Sequence, residues 1–164
     1  IRSVGYVGGR MGLGDVLVLG SNWQVELVDS TPDARAFYNS GTAADSFIRD
    51  IKTFVFTLSD EAGNPIEDVN VVIKDKDGTE RFNDTTDSNG QVSDELYYRE
   101  TTFSPAGVKT ITSFNPFVFT FSKVGYETYE TEFNITAKIT QVVTLKKAVP
   151  LLIGKHILNL TLPT

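Results

Sequence analysis

From Ile51 onward the chain repeats apolar and polar residues with a period of two. Phe54, Phe56 and Leu58 share one side, with Val55, Thr57 and Ser59 opposite. Val69, Val71 and Ile73 alternate with Asn70, Val72 and Lys74, and Phe117, Phe119 and Phe121 with Val118, Thr120 and Ser122. Tyr129, Thr131, Phe133, Ile135, Ala137 and Ile139 form one further run against Glu130, Glu132, Asn134, Thr136 and Lys138. A helix would smear such runs around its circumference, so the pattern predicts half-buried strands. Val92, Leu96 and Tyr98 mark another strand. The breaks are turn-formers: 60–65 (DEAGNP), 75–78 (DKDG) and 87–90 (DSNG). Short strands separated by Asx-Gly turns predict an all-β, antiparallel, Greek-key-type β-sandwich whose core is phenylalanine.

The flanks read differently. The start is glycine-rich, followed by strand candidates Val16–Leu19 and Trp23–Val28. Thr31 as N-cap, Pro32 at the first helical position and Asp33 beside the dipole predict one short helix to about Tyr38. Asn39-Ser40-Gly41 breaks it. After a break at Val149-Pro150, the alternation of Leu158, Leu160 and Leu162 with Ile157, Asn159 and Thr161 predicts an extra apolar strand. A spare strand must pair with something, either the sheet of its own chain or a neighbouring subunit. This divides the chain into an N-terminal β segment with a short helix (1–50), a sandwich (51–146) and a C-terminal strand or tail (147–164).

Charge follows these divisions. Residues 1–50 carry four basic and six acidic side chains, 51–146 nine and fifteen, and the tail only Lys147 and Lys155. The whole chain of 164 residues has a net charge of −6, which argues against nucleic acid as a partner, since phosphate affinity needs a basic footprint. No apolar run reaches the ~18–20 residues of a membrane-spanning helix. The absence of Cys excludes disulfides, thiol catalysis and thiolate metal sites. The chain starts at Ile1 without a Met or a signal peptide, which reads as a processed chain or a fragment.

Residues 52–146 resemble a carboxypeptidase regulatory-like domain, the transthyretin-like sandwich related in pattern to Cna-B repeats. The matching pieces are 54–60 (FVFTLSD) before 63–66 (GNPI), 69–73 (VNVVI), 85–92 (TTDSNGQV) and 123–127 (KVGYE). The resemblance implies a non-catalytic module used as a spacer, an adhesin segment or an assembly unit. It also implies that Gly63-Asn64-Pro65 turns the first hairpin and Asp87 to Gly90 the next, and that Gly125 bends the chain so that Tyr126 covers one end. Cna-B domains often carry a Lys–Asn crosslink, with the lysine just before the first turn. Here that stretch is Phe56-Thr57-Leu58-Ser59, and Lys52 lies too early.

Candidate chemistry is sparse. Asp75, Asp77, Asp84, Asp87 and Asn89 offer hard oxygens for calcium, but the spacing is not an EF-hand, and Asx residues form turns without metal. His156 is the only His and lacks a second nitrogen or sulfur ligand. The 9–14 stretch (GRMGLG) matches no phosphate-binding pattern. Trp23, Tyr97 and Tyr98, if exposed together, would make a sugar platform. Asn83, Asn134 and Asn159 head Asn-x-Thr sequons, candidate glycosylation sites in an exported chain.

Taken together these features predict a non-enzymatic extracellular structural protein of the cell surface, without metal or cofactor. It would be a building block of a fibre or appendage, with copies of itself or other surface proteins as partners, and Leu158, Leu160 and Leu162 as the assembly strand. A carbohydrate-binding or adhesin module is the rival reading.

Overall fold

The computed structural model describes residues 2–4, 16–18, 24–29, 37–39, 46–104 and 108–149. These form twelve strands: β1 (Arg2–Val4), β2 (Val16–Val18), β3 (Gln24–Val28), β4 (Phe37–Asn39), β5 (Ser46–Ser59), β6 (Asn70–Lys74), β7 (Glu80–Thr85), β8 (Gln91–Phe103), β9 (Lys109–Ser113), β10 (Phe117–Ser122), β11 (Tyr129–Phe133) and β12 (Ile139–Thr144). The first sheet has the order β1-β3-β5-β8-β9, with β12 also paired to β5. The second has the order β11-β10-β6-β7, and the two pack as a sandwich. β2 and β4 pair with each other in parallel.

The expected core is the observed one. Phe54, Phe56 and Leu58 on β5 meet Phe117, Phe119 and Phe121 on β10, all at most 1% exposed. Phe56 stands edge-on to Phe119 and Phe121 at 5.4 and 5.2 Å, and Phe54 edge-on to Phe82 at 5.0 Å. Such contacts add about 0.5–1.5 kcal/mol per pair to the burial of the rings.

Two details of the first sheet exceed the sequence pattern. β5 runs through fourteen residues, and its outer edge is shared end to end. β3 pairs in parallel with 47–51, and β12 in parallel with 54–59. Asp29 lies at the end of β3: its N–H donates to the carbonyl of Ile51, and its carboxylate accepts from the N–H and hydroxyl of Thr53. The Asp29 side chain thus satisfies a backbone donor at the junction of the two strands.

Three expectations need correction. The predicted helix to Tyr38 does not hold at its end, because Phe37–Asn39 is strand β4, paired with Val16–Val18. Thr31 to Arg35, which carry the capping signal, lie outside the described residues. The single run from Tyr129 to Ile139 is two strands in different sheets, with 134–138 crossing between them. The two turns expected to make hairpins instead change sheets: 60–64 closes only a local bridge between Ser59 and Pro65 before the chain crosses to β6, and 87–90 leads from β7 in the second sheet to β8 in the first. The loop at Gly125 behaves as expected: Gly125 has a φ of 88°, Tyr126 packs against the core, and it bridges to Lys147.

Candidate functional site

The acidic loops are built alike. Each begins with an Asp and places a left-handed glycine three residues later: Asp60 and Gly63, Asp75 and Gly78, Asp87 and Gly90. In each, the Asp Oδ1 accepts from the backbone N–H two and four residues on, at 2.8–3.0 Å. Each glycine N–H in turn donates to the Asp carbonyl at 2.9 Å. These bonds hold three carboxylates below their ordinary range. For Asp60 the Asn64 side chain dominates, and for Asp87 the Gln91 N–H. Burial pulls Asp75 upward, but Arg81 and two backbone donors outweigh it. The candidate calcium ligands are therefore not brought together. Asp75 and Asp87 cap their own loops, Asp77 pairs with Lys76, and Asp84 accepts from the N–H of Thr85. Among the described residues no three His, Cys, Asp or Glu are placed to hold a metal ion.

A polar seam joins the upper part of the first sheet to the sandwich. Its origin is a β-bulge. Asp50 opposes Arg99, but Ile51 opposes Tyr97, leaving Tyr98 as the extra residue. Arg49 pairs with Glu100 at 2.8 Å, and its guanidinium lies over Phe47 at 4.2 Å and Tyr97 at 4.6 Å. Arg81 of β7 lies over the same Tyr97 at 4.9 Å and over Phe114 at 4.5 Å. Arg81 also donates to the Tyr97 hydroxyl and forks onto Asp75 Oδ2 at 2.7 and 2.6 Å. The result is an alternating column, Phe47–Arg49–Tyr97–Arg81–Phe114. Beside it, buried Asp50 takes Arg99 at 2.5 Å, while its second oxygen has no hydrogen-bond partner among the described residues. Burial, then the Asp50 charge, pushes the Tyr98 phenol up, and the bond to Asp50 raises Arg99.

The sugar-platform expectation meets this seam directly. Tyr97 is held between two guanidinium groups, and Tyr98 packs on the core. Neither stands free as a stacking face; Trp23 lies outside the described residues. Lys52 is buried on the core-facing row of β5, between Asp50 and Phe54.

The sequons are separated. Asn83 is exposed on β7, its amide donating to Glu80 at 3.2 Å. Asn134 is exposed just past β11. Asn159, His156, the 9–14 stretch and the strand of Leu158, Leu160 and Leu162 lie outside the described residues.

The Arg–aromatic column and strand β9 were not anticipated from sequence. The column joins β5, β7, β8 and the 114 loop, so no local spacing reveals it. β9 left a signal, the β-branched 110–112 triplet after the turn residues 105–107.

No family model matches the chain, and no curated protein matches it. Solved structures of similar fold include the shaft pilin SpaA of Lactobacillus rhamnosus GG, at 15% identity and TM-score 0.42, covering 60% of this chain and 50% of the pilin. They include 5-hydroxyisourate hydrolase of Klebsiella pneumoniae, at 14% identity and TM-score 0.40, covering 60% and 92%. They also include 3-chlorocatechol 1,2-dioxygenase of Rhodococcus opacus, at 16% and 0.41, covering 74% and 64%. The chain spans half the length of that shaft pilin. The likeness is one of β-sandwich architecture.

Proposed function

We infer that this chain is a non-catalytic structural module of an extracellular surface fibre or appendage, built to carry tension along its length. One observation carries the reading. β5, on which the 51–146 region opens, and β12, its last strand, are parallel neighbours over six residue pairs. Tension drawing the start of β5 away from the end of β12 loads all those pairs in shear, together. An antiparallel hairpin such as β6–β7, pulled at its open end, gives way one pair at a time.

The polar chemistry supports the same reading. Asp60, Asp75 and Asp87 cap their loops, Asp50 and Glu100 close ion pairs, and the rings of Tyr97 and Tyr98 lie under arginine, which fits a scaffold better than a reaction centre. Within this proposal Leu158, Leu160 and Leu162 form the strand that reaches a neighbouring copy. Asn83 and Asn134 are acceptors for surface glycans.

Single-molecule pulling tests it. The chain has no Cys, so anchors can be placed at will. Anchors at Ser46 and Lys146 load β5 against β12, and anchors at Asn70 and Thr85 unzip β6–β7. The first geometry is expected to need several-fold more force. Equal forces would remove the tension-bearing reading. Negative-stain microscopy of the intact chain and of a chain lacking 158–164 tests the fibre. Filaments that survive the deletion would remove strand donation, and a monodisperse intact chain would remove assembly by this chain alone.

A further inference from the structure

Among the described residues, strand β9 ends one side of the first sheet. It pairs with β8 on one side, and all five of its residues are exposed, Ile111 at 55%. Such an edge presents unpaired backbone groups to any strand that fits. We propose that β9 is a self-complementary interface, on which a second copy of this chain pairs its own β9 antiparallel about a two-fold axis at Ile111.

The register follows from geometry. A two-fold axis perpendicular to a sheet must pass through a residue that faces itself, because directly opposed residues point to the same side. Centring on Ile111 pairs all five residues: Ile111 with Ile111, Thr110 with Thr112, and Lys109 with Ser113 of the second copy. No like charges are opposed. An apolar contact sits on the axis, and two threonine pairs flank it, a favoured cross-strand combination.

Among the described strands of five or more residues, the other open edges are poorer self-partners. Centring β11 on Thr131 opposes Glu130 to Glu132 twice over, four carboxylates on one seam. Centring β7 on Phe82 opposes Glu80 to Asp84, and its pairing with β6 carries a register shift at Ile73/Lys74. Arg81 is already turned onto Asp75 and Tyr97. β12 is uncharged but bracketed by Lys138 and Lys146, which face each other when it is centred on Val142. Among these longer edges charge therefore selects β9 for pairing with a second copy. The pairing closes as a dimer. It stands apart from the fibre reading, which rests on β5 and β12.

Cysteine crosslinking of the full chain tests this. Opposed residues of an antiparallel pair have Cα atoms ~4.5–5.5 Å apart, inside the disulfide range. Under mild oxidation Ile111→Cys is expected to give a covalent dimer. Val108→Cys, similarly exposed at 61%, lies six residues from its own copy in this register and should stay monomeric. Val142→Cys, at 66% exposure on β12, should also stay monomeric. Lys109→Cys mixed with Ser113→Cys should form the heterodimer. In the otherwise unchanged chain, Ile111→Lys opposes two lysines on the axis and should weaken self-association at least about tenfold by sedimentation. Equal crosslinking at 108, 111 and 142, faster crosslinking at 142, or self-association indifferent to Ile111→Lys would each overturn the proposal. Any of these would leave the pulling experiment unaffected.

Discussion

Replacing Gly90 by alanine separates two roles of glycine that the three Asp–Gly loops combine. Gly63, Gly78 and Gly90 all have positive φ, at 84°, 78° and 70°. A left-handed backbone costs a residue bearing a Cβ about 1–2 kcal/mol. At Gly63 and Gly78 nothing lies within 4 Å of an added Cβ, so that cost is the whole effect. At Gly90 the Cβ would sit 2.4 Å from the carbonyl oxygen of Leu58 and 3.0 Å from the nitrogen of Ile66. These atoms are themselves hydrogen-bonded, Ile66 N–H to Leu58 oxygen at 3.0 Å, while the Leu58 N–H donates to Gly90 oxygen at 2.7 Å. Making room strains both bonds, each worth about 1 kcal/mol net. It also shifts a strand whose Leu58 is fully buried. The sum for Gly90→Ala is about 3–5 kcal/mol, against about 1–2 kcal/mol for Gly63→Ala or Gly78→Ala. Urea denaturation followed by circular dichroism measures all three. With a slope of about 1–2 kcal/mol/M, the Gly90 variant should lose roughly 2–4 M in midpoint, and the controls roughly 1 M. Equal shifts for the three variants would show that the close approach to β5 contributes nothing and that the loops are interchangeable.

Asp75→Ala removes the counter-ion of half-buried Arg81 together with the acceptor for two loop N–H groups, and should cost about 2–4 kcal/mol. A double-mutant cycle with Arg81→Ala should show coupling, and strict additivity would refute it. Thr86→Val leaves the Ile66 carbonyl and the Val69 N–H, both now bonded to the buried hydroxyl, without partners. The cost should be about 2–3 kcal/mol, with Thr86→Ser recovering most of it in the same urea assay. Acid should destabilise the fold through Asp29, Asp60, Asp75 and Asp87, whose carboxyls are all lowered from 3.8. A carboxyl lowered on folding contributes stability above its unfolded value that is lost as pH falls through the folded one. Melting temperature should therefore stay level from pH 7 to about 5 and fall below about 4. Asp60→Asn with Asp87→Asn should shallow that fall, and an unchanged acid limb would refute the assignment.

The rows of phenylalanine on β5 and β10 were legible because burial on one face of a strand imposes a strict period. The Asp–Gly turns were legible because left-handed backbone selects its residues. Pairing partners were not. Nothing local says that 139–144 lies beside 54–59, or that it runs parallel. The crossing at 134–138 was hidden for a physical reason. Ile135 stays buried as the chain passes between sheets, its N–H and carbonyl both bonded by the Asn115 side chain, so the alternation keeps its phase. The Arg–aromatic column escaped because its members come from positions 47 to 114. The predicted helix is overturned only at its end, where Phe37 and Tyr38 take part in a strand pairing with 16–18 that no local signal reveals.

The two sheets manage their edges differently, and this bears on assembly. The second sheet ends in β7 and β11, which carry acids along their length and the exposed sequons Asn83 and Asn134 on or just past them. Charge already opposes self-pairing there, and a glycan at either position would add bulk to the same edge. Among the described residues, one edge of the first sheet is β9, whose lone charge sits at one end and which bears no sequon. If the chain also joins end to end through its tail, the β9 pairing would lie across that direction, because β9 runs along the same long ribbon as β5 and β8. Lateral pairing and axial load would then fall on different strands, so that loss of Ile111 changes how copies bundle and leaves the force borne by β5 and β12 intact.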